Sequence, residues 1–139
     1  MSIVAVLVIA VNAAASPGSG GAPAVAIPAG TSCLDAGCHA SLVAKAVPHE
    51  VAAAGDCSAC HEPDATGHHF KLAAQPISKI CTTCHEDPTS GRERIHEPVA
   101  SGECTLCHDP HSASEKHLLR DPVVDLCTGC HSDVAEALA

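Results

Sequence analysis

The feature that most constrains this chain is a pair of cysteines followed directly by histidine, which occurs five times. Four copies, beginning at Cys57, Cys81, Cys104 and Cys127, have two residues between the thiols, and the first copy, at Cys33, has four. All ten cysteines belong to these motifs, two in each. The motifs are Cys33, Cys38 and His39; Cys57, Cys60 and His61; Cys81, Cys84 and His85; Cys104, Cys107 and His108; and Cys127, Cys130 and His131.

The C-x-x-C-H pattern is the attachment signature of c-type haem. The two thiols bond to the porphyrin edge, and the adjacent imidazole lies beneath the iron as its proximal ligand. The sequence therefore predicts five covalent haem c groups. Their proximal ligands are the motif histidines, His39, His61, His85, His108 and His131.

Cysteine-rich small chains are also built on disulfides or on zinc. Disulfides give no reason for a histidine after every second cysteine. Zinc explains the cysteine pairs but leaves five regularly placed histidines unexplained, and an odd number of pairs does not divide into four-thiolate sites. The full motif favours haem over both alternatives.

On these motifs, residues 33–131 resemble the small multihaem cytochromes c of periplasmic and extracellular electron transfer. The four-residue gap of the first motif departs from the usual spacing, although similar gaps occur among small bis-histidine tetrahaem cytochromes. The resemblance implies haem attachment outside the cytoplasmic membrane, and thus a periplasmic or extracellular protein.

The composition predicts an unusual fold class. The chain has one phenylalanine and no tryptophan or tyrosine, and small domains with so little to bury need a covalent or metal staple. We predict an irregular, mostly coil structure with a few short α-helices wrapped around a stack of five haems, and little or no sheet. The haems themselves would serve as the core.

The sequence divides into three parts. Residues 1–15 hold a short apolar run and an Ala-x-Ala site, which predict a secretory signal, although no basic residue precedes the run; an uncleaved anchor or a mobile tail is the alternative. The run is too short to span a membrane. Residues 16–30 have linker or arm composition, and residues 31–139 form the haem domain.

The haem domain contains an internal duplication, at about residues 49–85 and 96–131. In both units a His-Glu pair precedes a Gly, an acidic residue and a motif cysteine. Local signals predict a helix from Val123 to Cys130, with Asp121 as N-cap and Pro122 at its first position. A second short helix is predicted over residues 41–47, ending before Pro48, and Gln75-Pro76 opens a turn before Cys81.

The second axial ligands are predicted from the remaining histidines. Met1 is the one methionine, so bis-histidine coordination is predicted. His49 and His96 occupy equivalent places in the two units. His111 follows a proximal histidine too closely to bind the same iron easily, so an adjacent haem suits it better. The distal candidates are His49, His68, His69, His96, His111 and His117, and a ligand from a neighbouring subunit stays open.

The formal charge of −9, to which haem propionates add, argues against binding nucleic acid. It favours redox partner proteins with basic docking patches, or it serves solubility alone.

Two functions follow from the motifs. The first is an electron-transfer relay, because successive proximal histidines are 22 to 24 residues apart and leave little protein to insulate the haems. Such a relay could extend by end-to-end assembly into a homopolymeric extracellular filament. The alternative is a small nitrite or oxyanion reductase with one open haem. We expect no catalysis, because all five motifs end in histidine and the chain is short for an active-site pocket.

Overall fold

The computed structural model describes residues 31–35, 37–64 and 68–138. The predicted signal segment and linker lie outside the described residues. The described part of the chain has five short α-helices: α1 (Glu50–Ala53), α2 (Ser78–Cys81), α3 (Glu97–Ala100), α4 (Val123–Thr128) and α5 (Ser132–Leu138). Single turns of 3-10 helix occur at Ala40–Val43, Cys57–Ala59, Cys104–Leu106 and Lys116–Leu118.

Four short strands pair into two small antiparallel sheets. They are β1 (Val47–Pro48), β2 (His61–Pro63), β3 (Phe70–Leu72) and β4 (Ser112–Ala113). β2 pairs with β3 within the first unit, with His61 opposite Leu72. β1 pairs with β4, with Val47 opposite Ala113, and so joins the first motif's segment to the second unit. The predicted fold class, mostly coil with a few short helices and very little sheet, is confirmed.

The local predictions differ from the structure in detail. α4 begins at Val123 and ends at Thr128, two residues before the predicted end at Cys130. Its N-cap is Pro122, in an extended conformation at φ −52° and ψ 144°, and not Asp121. The segment predicted as a helix over residues 41–47 is a 3-10 turn, Ala40–Val43, followed by strand β1. Because β1 pairs with a strand more than sixty residues away, this long-range contact outweighs the local helical preference.

Very little of the polypeptide is buried. Among the described residues, the buried hydrophobic side chains are Ile80 and Ala113, and the buried polar one is Ser112. Larger apolar side chains are exposed, including Leu106 at 58% and Val123 at 61%. A chain of this length normally buries well over half of its surface. The described polypeptide therefore has hardly any hydrophobic core of its own.

The buried serine joins the first motif's segment to the second unit. The Ser112 hydroxyl donates a hydrogen bond to the Leu42 carbonyl over 2.6 Å and lies 3.4 Å from the Lys45 backbone nitrogen. The Lys45 ammonium group forms an ion pair with Asp109 at 2.9 Å. These contacts fix β4, and with it the loop that carries His111.

Candidate haem-binding sites

Both repeat units place their cysteine motifs in the same way. His49 and His96 stand at the N-cap positions of α1 and α3, where the backbone is extended before the helix starts. Each helix leads through a glycine of positive φ, Gly55 or Gly102, into a 3-10 turn that begins at a motif cysteine. The turn holds the two thiols one helical turn apart, and the motif histidine follows directly.

The thiols of consecutive motifs lie beside one another. Burial raises the pKa of the Cys57 thiol, and a hydrogen bond with Cys33 raises it further. Burial also raises the pKa of the Cys81 thiol, and the charge of the Cys104 thiol raises it further. The first cysteine of one motif thus meets the first cysteine of the next at two junctions, between motifs one and two and between motifs three and four.

A similar contact joins the second and third motifs. Burial and then the charge of Cys84 raise the pKa of the Cys60 thiol. All ten cysteines are free thiols in the polypeptide. The attachment points of the first four motifs therefore follow one another through space.

The histidines come together in pairs, each joining a motif histidine to a predicted distal candidate. The pairs come from distant parts of the sequence, and their ring centres are 5.6 to 6.1 Å apart. They are His39 with His68 (5.6 Å), His85 with His49 (6.0 Å), His61 with His111 (6.1 Å) and His131 with His96 (6.0 Å).

This spacing fits one iron between each pair. An imidazole nitrogen lies about 2 Å from its metal, so opposed ligands have nitrogens about 4 Å apart and ring centres about 6 Å apart. The Nε2 atoms of His39 and His68 are 3.3 Å apart, so this pair would have to open slightly. Within the described ranges, no three Cys, His, Asp or Glu side chains converge as a metal site; the imidazoles meet in twos.

Backbone carbonyls orient two of these histidines. The Nδ1 atom of His49 is 3.1 Å from the Pro110 carbonyl oxygen, and that of His108 is 2.9 Å from the His117 carbonyl oxygen. A ring that donates through Nδ1 keeps the lone pair of Nε2 for a metal. His49 and His108 are thus held in the tautomer and orientation that an axial ligand needs.

Three histidines fall outside the four imidazole pairs: His69, His108 and His117. His69 and His117 are exposed, and the structure brings neither of them against a motif imidazole in the described part of the chain. His108 is the one motif histidine among the three. The structure thus brings a predicted distal candidate to four of the five motif histidines, and within the described ranges it brings none to His108.

Two arginines near the last imidazole pair were not singled out from the sequence. Arg92 and Arg94 line a cavity of about 240 Å³ together with Ile95, His96 and Val99. Guanidinium groups bind carboxylates strongly, so these side chains would suit the propionates of a haem if His96 and His131 were its two axial ligands. The Arg-x-Arg sequence just before His96 was the available signal.

The described residues contain no helix long and apolar enough to cross a membrane. No curated protein and no solved structure matches the chain. The model of a family described as the doubled CXXCH motif matches residues 49–89 and 96–136, more than half of the 139 residues. The two matches begin at His49 and His96, where the sequence predicts that the two repeat units begin. CXXCH motifs indicate covalently bound haem c. The chain belongs to the doubled CXXCH motif family and is a multihaem c-type cytochrome-like protein.

Proposed function

We propose that this protein is an electron-transfer relay that carries one haem c at each of its five motifs. The observation that carries the proposal is the set of four imidazole pairs, three with the spacing of two ligands on one iron and the fourth, His39 with His68, slightly closer. Irons with histidine on both faces have no position for substrate, so they exchange electrons rather than bind reactants.

The interleaving of the pairs supports close haem packing. His61 of the first unit pairs with His111 of the second, and His39 of the first motif pairs with His68 beyond the second motif. Each pair therefore ties two motif segments together. Haems attached to neighbouring thiols and held by such ties would lie close enough for electrons to pass among them.

A freeze-quench experiment tests the relay. Fully oxidised protein is mixed with less than one electron equivalent per chain, and the reduced haems are followed spectroscopically over time. The relay predicts redistribution among haems at a rate independent of protein concentration, since transfer occurs within one molecule. A rate proportional to protein concentration would show that the haems of one chain do not communicate.

Partner binding follows from charge. As an exported carrier, periplasmic or at the cell surface, the protein would dock on basic patches of redox proteins, which its formal charge of −9 favours. Association with a basic partner should then slow markedly between about 10 mM and 150 mM salt, where the screening length falls from about 30 Å to 8 Å. An association rate that does not change with salt would remove charge as the docking force.

Assembly extends the same proposal. A relay whose outer haems lie at the surface would conduct further if copies joined end to end, which requires a heterologous, non-closing interface. Negative-stain microscopy of native material distinguishes the two states: filaments support this extension, and uniform single particles contradict it while leaving the single-chain relay intact.

A further inference from the structure

The fourth motif differs from the other four in the number of histidine rings at its site. His39, His61, His85 and His131 each have a second histidine ring within 6.1 Å. Across residues 31–35, 37–64 and 68–138 the structure brings no second ring to His108. We propose, resting on the haem content of the proposed function, that the iron tethered at Cys104 and Cys107 takes its sixth ligand from outside the chain.

His117 is excluded as the second axial ligand of the fourth haem by its position relative to His108. The His117 carbonyl oxygen accepts from Nδ1 of His108 over 2.9 Å. A histidine that binds iron through Nε2 has Nδ1 on the side away from the metal, so this segment lies behind the proximal ligand. His117 and Leu118 also have left-handed backbones, at φ 58° and 59°, and the bridge between His108 and Leu119 fixes the segment in place. His117 therefore orients the proximal ligand and does not oppose it.

His69 is not paired with any motif imidazole in the described part of the chain. His68 and His69 lead into β3, and successive side chains of an extended segment point to opposite faces. The His68 ring meets His39 and also makes an edge contact with Phe70, with centroids 5.4 Å apart. His69 therefore points away from that site and is exposed.

The duplication explains why this motif differs. His61 and His108 are equivalent motif histidines of the two units, and the partner of His61 is His111, three residues past the motif of the following unit. By the same rule His108 would need a histidine from a further unit. The two matched units, residues 49–89 and 96–136, contain no such position. In the first unit, Asp64 occupies the position that His111 occupies in the second unit.

The ligand that this site would accept is a small donor with an available lone pair, such as an imidazole for the oxidised iron or carbon monoxide for the reduced iron. The imidazole has two sources, the free molecule and a histidine of a second copy. The exposed His69 is the chemically matched donor in the second case, because it lies outside its own chain's pairs.

The test uses the intact holoprotein at concentrations where sedimentation shows a monomer. We expect one high-spin haem per chain in the oxidised protein, its conversion to low spin by free imidazole, and one carbon monoxide bound per reduced chain. A high-spin haem at every concentration indicates a site open to small ligands. One that appears only when oligomers dissociate indicates donation by a second copy. Both results support the open position.

Amino-acid substitutions show which motif carries the open haem. Cys104→Ala with Cys107→Ala should abolish the carbon monoxide binding, whereas His117→Ala and His69→Ala should leave one high-spin haem in the monomer. If the double variant does not fold, the two histidine variants and the wild-type count still decide. A monomer that carries five haems, all low-spin and inert to carbon monoxide, would overturn the inference while leaving the relay standing. A haem count below five would instead contradict the proposed function.

Discussion

At the scale of single residues, the partner of each imidazole is set by where the fold places the ring. It is not set by the residues that adjoin the histidine in the sequence. His49 lies ten residues after His39, the end of the first motif, yet its ring meets that of His85. The choice follows from the extended N-cap backbone at His49 and its Nδ1 contact with Pro110 of the other unit. Two side chains of the first unit and a backbone carbonyl of the second thus meet at a single site.

Replacing His96 tests this reading of the pairs. His96→Ala removes the ring whose centre lies 6.0 Å from that of His131, so the last haem should lose one axial ligand and become high-spin. Electron paramagnetic resonance of the oxidised protein should show one more high-spin haem than wild type. His69→Ala is the matched control and should change nothing in the monomer. An unchanged spectrum for His96→Ala would show that another group binds this iron.

Ser112 joins the first motif's segment to the second unit. Ser112→Ala leaves the Leu42 carbonyl without its donor in a site where the side chain is 1% exposed. An unpaired buried polar group costs about 1–3 kcal/mol, and the free energy of unfolding in denaturant should fall by that amount. The exposed Ser114 offers the control: Ser114→Ala should change stability by less than about 0.5 kcal/mol. Equal effects of the two substitutions would contradict this role.

At the scale of elements, the repeat is built by glycines that let one unit lie against the preceding one. Gly102 has φ 77°, and a Cβ there would collide with the Ser78 side chain at the start of α2. Gly91 has a similar φ of 71° with nothing within 4 Å. The two glycines share the same backbone requirement and differ in the space around them.

This contrast gives a paired prediction. Gly91→Ala should cost about 1–2 kcal/mol for the left-handed backbone alone. Gly102→Ala should cost clearly more, because α2 and the turn before Cys104 must also separate. Denaturant unfolding of both variants measures the difference. If the two substitutions destabilise equally, the close approach of the units at Gly102 contributes nothing.

The segment joining the two units places Arg92 and Arg94 at the cavity beside His96. Arg94→Gln removes a cation from the cavity beside His96, so the potential of one haem should fall, since the reduced haem carries one more negative charge. A charge interaction of about 1 kcal/mol corresponds to about 40 mV for a one-electron couple. Arg94→Lys keeps the charge and should retain most of the potential. A redox titration in which neither variant shifts any haem would remove Arg94 from this site.

Local sequence signals predicted some of these elements and missed others. The helix at the last motif is predicted from Asp121 and Pro122 because capping residues act within one turn, although its N-cap is Pro122 and not Asp121. The strand at Val47 was missed because its partner, Ala113, is distant in sequence. The motif cysteines and histidines were identifiable because the attachment chemistry fixes their spacing. The pairing of His61 with His111 was not identifiable from the sequence, because it depends on how the two units pack.

For the whole molecule, the central observation is how little the polypeptide buries by itself. Ile80 at 8% and Ala113 at 1% are the buried hydrophobic residues of the described ranges. Our proposal explains both the missing interior and the five thiol pairs: covalently held porphyrin would supply the apolar core and also the redox centres. Composition suggested this, since a chain with one aromatic Phe and no Trp or Tyr has few large side chains to pack.

The most direct test of this claim is the mass of the intact protein, purified after export in a host that attaches haem c, together with a pyridine haemochrome spectrum. The structure and the motifs predict a chain mass increased by five haems, with five haems by absorbance. Material that is folded and stable but carries fewer haems, or none, would show that the polypeptide does not need porphyrin at every motif, and would contradict the claim.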